Sequence, residues 1–107
     1  MEIHNSLGPG FSEIVYKDAL MYELEMSKID FCREKEYVVK YKETFLPHRF
    51  YADFLVNDKI ILEIKSVKKL DDIHSAQTIN YLKVSNNRIA LLVNFGEESL
   101  AYKRFIL

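Results

Sequence analysis

Three charged residues in the middle of the chain have the types and the spacing that metal-assisted hydrolysis uses. Glu63 and Lys65 alternate inside an apolar stretch at residues 60–67 (IILEIKSV), and Asp53 precedes them in a second apolar stretch. Carboxylates are ligands that Mg²⁺ takes from proteins, together with water and substrate phosphate. A lysine beside them can neutralise charge, or orient a water molecule or a phosphate oxygen. Whether these residues meet depends on the segments that carry them.

Residues 50–56 and 60–67 are predicted to be the two strands of a hairpin. Side chains alternate along a strand, so the register that pairs Val56 with Ile60 collects the apolar residues of both strands on one face. A three-residue loop, 57–59, fits this register because Asn and Asp tolerate a left-handed backbone. The face expected to be wholly apolar consists of Phe50, Ala52, Phe54, Val56, Ile60, Leu62 and Ile64.

The same register places Asp53 directly opposite Glu63, and Tyr51 opposite Lys65. Carboxylates in such positions have Cβ atoms about 4.5–5.5 Å apart, and like charges there are destabilising unless something compensates them. A divalent cation between them is one interpretation. An ion cluster of Glu, Lys and Asp on a solvent-facing sheet surface is the other, and the residues alone leave both open.

The remaining elements are predicted from periodicity and turn residues. Residues 1–7 fit the last turns of a helix, and a second helix is expected at 12–27, N-capped by Ser12, with Glu13 in its first turn. The apolar residues at helical spacing in that second helix are Val15, Ala19, Tyr22 and Met26, with Leu20 and Leu24 beside them. The other predicted segments are a strand at 31–41, a turn at 44–49 that contains Pro47, a helix from Asp71 or Asp72 to about Ser85 that ends at Asn86 and Asn87, and strands at 88–94 and 99–107.

This order of elements predicts one domain over residues 1–107, of the α/β or α+β class, with a mixed sheet flanked by helices. The helix between the third and fourth strands suggests a parallel, right-handed crossover. The chain has 107 residues, 49% of them hydrophobic, and one cysteine, so a single core is expected and a disulfide framework is excluded. No long apolar run and no signal-peptide pattern is present, so a cytoplasmic location without membrane contact is expected.

The near-neutral charge of the chain limits how it could bind nucleic acid. The formal net charge is −1, and a dedicated duplex-binding domain usually carries a clear basic excess. Any contact with nucleic acid must therefore come from a local patch or from metal ions. Lysines and an arginine that could form such a patch, or equally a solvated face, are Lys65, Lys68, Lys69, Lys83 and Arg88.

The order of elements and the charged motif resemble the PD-(D/E)XK nuclease superfamily, whose core is αβββαβ. Asp53 corresponds to the acidic residue of its first motif, and Glu63, Ile64 and Lys65 correspond to the E-x-K motif. Ala52 stands where a proline usually precedes the aspartate, a departure that removes no ligand.

Two further stretches resemble a narrower group, the prokaryotic GxxExxY proteins, whose biological role the resemblance leaves open. Residues 10–16 (GFSEIVY) fit that motif, and His4 with residues 7–10 (LGPG) fits the stretch before it. Members usually have a longer helix before the histidine. Gln77 and Tyr81 resemble the Q-x-x-x-Y motif of RecB-like exonucleases.

The resemblance implies a metal-dependent nuclease that hydrolyses DNA phosphodiester bonds, single- or double-stranded. Asp53, Glu63 and the backbone carbonyl of Ile64 would hold Mg²⁺ or Mn²⁺, with Glu13 assisting. Lys65 would complete a catalytic set with Asp53 and Glu63.

Gln77 and Tyr81 would position the nucleic acid; the alternative is that both belong to a half-buried packing face. For Glu13 the alternative is an anion favoured only by the helix dipole. His4 is expected to be a hydrogen-bonded structural residue, and His48 and His74 to lie on solvent.

A second function class stays open: a catalytically inactive module of the same fold that binds nucleic acid or assembles with an unknown protein partner. Such a module could form a homodimer through the last strand, because residues 101–107 end as an apolar edge that needs cover. A small RNA-binding fold is a weaker alternative, since no aromatic stacking motif of the RRM kind is present.

Overall fold

Five strands form one mixed sheet in which spatial order follows chain order, from β1 to β5. The computed structural model describes residues 2–107. Within these residues β3 and β4 are parallel, and the other neighbouring pairs are antiparallel. The αβββαβ order with a further C-terminal strand is confirmed. The elements are α1 (Glu2–Leu7), α2 (Glu13–Met26), β1 (Phe31–Tyr41), β2 (Thr44–Val56), β3 (Ile60–Lys65), α3 (Asp72–Ser85), β4 (Ile89–Asn94) and β5 (Ala101–Ile106).

Helix α3 forms the crossover between the two parallel strands, and its ends are set by local hydrogen bonds. The Asp71 carboxylate accepts from the N–H groups of Ile73 and His74, while Nδ1 of His74 accepts from the Asp71 N–H, which completes a capping box. Asn86 ends the helix in the left-handed region, at φ 61°. Both ends agree with the prediction. His74 is half-buried in this cap, so the expectation that it lies on solvent was wrong.

Both faces of the sheet are covered, α1 and α2 lying on one and α3 on the other. On the α2 side Leu20 and Leu24 pack with Phe54 and Leu62. On the α3 side Leu82 belongs to a second hydrophobic core. The predicted stripe on α2 was partly wrong, because two of its residues, Tyr22 and Met26, are exposed.

The buried stripe of α2 is Tyr16, Leu20 and Leu24 instead. Apolar residues surround this helix, so periodicity alone did not select the buried side. Tyr16 can be fully buried because its hydroxyl donates to the Gly8 carbonyl, which satisfies its polar end.

The turn predicted at 44–49 is strand instead, and the chain reverses at Lys42 and Glu43. Lys42 has a left-handed backbone, with φ 53°. Pro47 lies in the part of β2 where its register with β1 shifts, and β3 pairs with β2 only from Phe54 onward. A proline is tolerated at such an irregular position, where β3 does not pair with β2, because no sheet hydrogen bond needs its missing N–H.

The hairpin register was predicted correctly at its closed end. Val56 pairs with Ile60 and Phe54 with Leu62, and both Asn57 and Asp58 have left-handed backbones. The β2–β3 ladder ends at that second pair, so the expected pairing of Tyr51 with Lys65 does not occur within it. Strand β3 ends at Lys65, two residues before the predicted limit.

The wholly apolar face predicted for β2 is interrupted at Asp53. Phe54 packs on the α2 side, but Ala52 belongs to the core on the α3 side, and Phe50 stacks on Tyr81 of α3. Across from Asp53 in β1, Glu34 has a left-handed backbone with φ 56°. Alternation assumes extended backbone throughout, and Glu34 departs from it in the strand beside Asp53.

Candidate functional site

Two crossed hydrogen bonds join β2 and β3 where their ladder ends. The Asp53 N–H donates to Oε2 of Glu63 at 2.7 Å, and the Ile64 N–H donates to Oδ2 of Asp53, also at 2.7 Å. Side-chain carboxyl oxygens thus accept from backbone N–H groups of the facing strand, at the short end of the range for N–H···O bonds. The prediction that Asp53 and Glu63 meet is therefore correct, although they meet through these bonds and not as a ladder pair.

Burial and mutual repulsion decide the charge state of this carboxylate pair. Asp53 is 9% exposed and Glu63 4%. Burial, followed by the nearby charge of Asp53, raises the pKa of Glu63 to about 8, against the lowering effects of the Asp53 N–H, Lys65 and Lys17. A carboxyl group that holds its proton so readily lacks sufficient positive charge around it.

Lys17 is a site residue that sequence reasoning missed. Its ammonium lies 2.7 Å from Oδ1 of Asp53 and 3.4 Å from Oε1 of Glu34. Burial lowers the pKa of Lys17, but the hydrogen bond and charge of Asp53, together with Glu34, outweigh burial and raise it. The available signal was a lone lysine on α2 between the buried residues Tyr16 and Leu20.

Lys65 and Ile64 continue the site along β3. Lys65 is half-buried, and its positive charge favours the ionised form of Glu63. Its backbone carbonyl accepts from the Phe95 N–H at 2.9 Å, which fixes the end of the strand beside β4. Ile64 is buried, at 1% exposure, with its N–H on Asp53.

Glu13 is not gathered into one group with the carboxylate pair. It is half-buried at the first position of α2, one turn before Lys17. Within residues 2–107, no set of three or more His, Cys, Asp and Glu side chains is close enough to hold a metal ion together. The assistance expected from Glu13 stays a prediction.

Tyr81 is half-buried on α3, whereas Gln77 is exposed. The Tyr81 ring stacks on Phe50 with centroids 4.4 Å apart, and Phe50 stacks on Tyr37 at 5.1 Å. Burial, followed by the charges of Glu63 and Asp53, raises the pKa of Tyr81. Packing thus accounts for the ring of Tyr81, and the nucleic-acid contact predicted for both residues stays a prediction.

The buried Asn94 holds the loop that follows β3. Its side-chain oxygen accepts from the N–H groups of Val67 and Gly96, and its Nδ2 donates to the Val67 carbonyl and to Glu97. A side chain at Gly96 would place its Cβ 2.3 Å from the Val67 oxygen. Sequence reasoning placed Asn94 in an apolar strand but did not assign it this role.

A groove opens beside this loop, just after the end of β3. It has a volume of about 370 Å³. Its walls are Pro9, Gly10 and Phe11 before α2, and Ser66, Val67, Lys68 and Gly96 on the other side. The Ser66 hydroxyl donates to the Phe11 carbonyl at 2.7 Å, which joins the two walls.

His4 stabilises the same end of the fold. Its Nε2 donates to the Glu97 carbonyl at 2.8 Å, and the side chain is buried. The structural role expected for His4 is confirmed. Tyr16, the last residue of the G-x-x-E-x-x-Y stretch, likewise stacks on Phe95 with centroids 4.6 Å apart.

The donor set around β3 fits a small divalent cation. Mg²⁺ is usually held by one or two carboxylates, with water and substrate oxygens completing its shell. Asp53 and Glu63 supply two buried carboxylates, and the raised pKa of Glu63 indicates a deficit of positive charge that such an ion would relieve. Ile64, in the same strand, brings a backbone carbonyl.

Comparison with known proteins is consistent with this fold. A crystal structure titled SSO0001 superposes with a TM-score of 0.69 at 18% sequence identity, covering 88% of this chain and 50% of that one. This chain therefore spans about half the length of that protein, and the likeness concerns the fold alone. No curated protein matches the chain. None of the helices within residues 2–107 is long and apolar enough to cross a membrane.

A family model provides the assignment. The model described as PD-(D/E)XK nuclease superfamily matches residues 1–105, which include the carboxylate pair and Lys65. Members of this superfamily generally use divalent metal ions. The narrower resemblance to GxxExxY proteins stays a prediction. The chain belongs to the PD-(D/E)XK nuclease superfamily.

Proposed function

We propose that this chain is a metal-dependent nuclease that hydrolyses DNA phosphodiester bonds. The single observation that carries the proposal is the crossed pair of buried carboxylates, Asp53 and Glu63, with Lys65 following in the same strand. Two buried acids next to each other are costly for stability, and a catalytic site is where such a cost is usually found. The expected location is the cytoplasm of a prokaryotic cell.

The position of each site residue indicates the role that it would have in hydrolysis. Asp53, Glu63 and the Ile64 carbonyl would hold Mg²⁺ or Mn²⁺, with Glu13 assisting from the start of α2. When bound, the ion would polarise the scissile phosphate and make an attacking water molecule more acidic. Lys65 would place its positive charge where negative charge develops on the phosphate, which lowers the barrier.

Positioning of the substrate is assigned to the surfaces around these residues. The groove between the Gly10 and Ser66 walls would receive part of the phosphodiester backbone, and Lys68 contributes a positive charge to it. Gln77 and Tyr81 on α3 would contact the DNA strand from the other side of β3. The near-neutral charge of the chain suggests that affinity depends on the metal ion.

The test is cleavage of single- and double-stranded DNA by the purified protein in Mg²⁺ or Mn²⁺. Asp53→Asn and Lys65→Met should each reduce the cleavage rate by about a thousandfold or more, because each removes charge that the transition state needs. Lys59→Met, an exposed lysine in the hairpin turn, is the matched control and should cleave at the wild-type rate. Cleavage by Asp53→Asn at the wild-type rate would contradict the role proposed for Asp53.

The competing function is an inactive module that binds nucleic acid or assembles with a protein partner, including a second copy of itself. The exposed residues of β5, Tyr102 at 68% and Ile106 at 65%, are the feature that favours it. Binding of DNA in a gel-shift experiment, without cleavage in either metal ion, would support the module and overturn the nuclease.

A further inference from the structure

Lys17 occupies the position at which a cation would meet Asp53. Its ammonium bonds to Oδ1 of Asp53 at 2.7 Å, and the two side chains are only 14% and 12% exposed. The second carboxylate oxygen of Asp53 accepts from the Ile64 N–H. Asp53 therefore has both oxygens engaged, one of them by a positive charge that water screens poorly.

A second acceptor for the same ammonium lies on the neighbouring strand. Oε1 of Glu34 is 3.4 Å from the Lys17 nitrogen, and the Glu34 side chain is 49% exposed. Glu34 lies across from Asp53 with a left-handed backbone, φ 56°, which glutamate seldom adopts. That conformation keeps a carboxylate within reach of Lys17 on the solvent side of the site.

A divalent cation and the ammonium cannot share Asp53 in the arrangement described. Mg²⁺ approaches its ligand oxygens to about 2.0–2.1 Å, and a lysine nitrogen on that oxygen would bring two positive charges together in a buried place. Binding the ion at Oδ1 thus requires that Lys17 leave it. Because the lysine stem is flexible and Glu34 is already in contact, a short displacement is enough.

We propose that Lys17 competes with the divalent cation for Asp53, and that Glu34 receives the ammonium when the cation binds. Lys17 then sets how tightly the site takes its metal ion. In the metal-free protein the same ammonium neutralises Asp53. The inference rests on the proposed function, since it assumes that Asp53 is a metal ligand.

The test measures Mn²⁺ binding directly, by calorimetry and by electron paramagnetic resonance, without DNA. Lys17→Met should tighten binding by tenfold to about a hundredfold, the range expected from loss of a hydrogen bond between charged groups. Glu34→Gln should weaken binding while Lys17 is present, and should have little effect in the double variant Lys17→Met/Glu34→Gln. Lys59→Met removes the same charge at an exposed position and should leave the affinity unchanged.

The outcomes separate the inference from the proposed function. Unchanged or weaker Mn²⁺ binding in folded Lys17→Met would overturn the competition, as would an equal effect of Glu34→Gln with and without Lys17. If neither wild type nor Lys17→Met binds Mn²⁺, the proposed metal site itself fails and the inference with it. Should Lys17→Met not fold, Lys17→Gln takes its place in both the single and the double variant, with the same expected results and the same contradicting ones.

Discussion

Glu63 is ionised at neutral pH in water, but burial beside Asp53 favours its neutral form in the folded chain. Its pKa rises from 4.5 to about 8. Between these values the folded state holds a proton that the unfolded state releases, so raising the pH favours unfolding. The acid is therefore a source of instability at neutral pH, and its retention is understandable if a cation removes that cost.

The first prediction concerns this linkage. Without divalent ions, the free energy of unfolding should fall as the pH rises from about 4.5 to about 8, by at most about 1.4 kcal/mol per pH unit. Glu63→Gln should remove most of this slope, because the amide does not titrate. Urea unfolding at a series of pH values measures both. Parallel profiles for the two proteins would contradict the prediction, and Glu98→Gln, at an exposed position, serves as the control.

At the scale of elements, the loop after β3 is held by a contact that only glycine allows. Gly96 lies against the backbone of Val67, and Asn94 bonds to both of these residues. These contacts among Asn94, Val67 and Gly96 join the ends of the parallel strands next to Lys65. Its rigidity is what would keep the wall of the groove in place.

The second prediction is that Gly96→Ala destabilises the chain strongly. A Cβ at 2.3 Å from a backbone oxygen forces a backbone shift, and overpacking of this kind typically costs about 1–3 kcal/mol. Thermal unfolding measures the loss. Ser99→Ala, at an exposed position in the same connection, is the control and should unfold at nearly the wild-type temperature. A Gly96→Ala protein as stable as that control would show that the loop adapts.

Elements whose limits depend on a residue's own side chain or backbone could be predicted. Features that depend on tertiary packing could not. Asn57 and Asp58 indicated the hairpin loop, and Asp71 and Asn86 indicated the ends of α3, because each of these roles depends on the residue's own side chain or backbone. Glu34 has no preference for a left-handed backbone, so nothing in the sequence signalled its conformation. The break in alternation at Asp53 was not predicted either.

The same distinction holds within the site. Asp53 and Glu63 could be brought together because the apolar residues around them fix one register. The partner of Lys17 could not be predicted, since its contact with Asp53 depends on how α2 lies across the sheet. Pro47 misled the prediction because a proline usually marks a turn. Here it lies in a part of β2 that does not pair with β3.

Over the whole molecule, the two edges of the sheet are β1 and β5. Tyr102 and Ile106 on β5 are exposed, which favours self-association, but Lys103 and Arg104 lie at the middle of the strand. If two copies paired antiparallel through β5, the two-fold axis would set one of these residues against itself. Lysines on edge strands commonly prevent such pairing.

The third prediction is that the protein is a monomer at micromolar concentration and physiological salt, because this repulsion outweighs the exposed apolar residues. The double variant Lys103→Thr/Arg104→Thr should self-associate, as threonine favours strands and removes the repulsion. Sedimentation velocity measures both proteins. Lys59→Thr/Lys69→Thr carries the same charge change on exposed loops and should stay monomeric. A wild-type dimer would contradict the prediction.

The crossed hydrogen bonds between β2 and β3 also give the site two spectroscopic reporters. The amide protons of Asp53 and Ile64 each point at a carboxylate oxygen, so their chemical shifts register any change at those side chains. Titration of a ¹⁵N-labelled sample with a diamagnetic ion would move these two resonances first, with no substrate present. Slow solvent exchange of both amides would show, in addition, that the carboxylates close the gap in the sheet as firmly as backbone carbonyls do elsewhere.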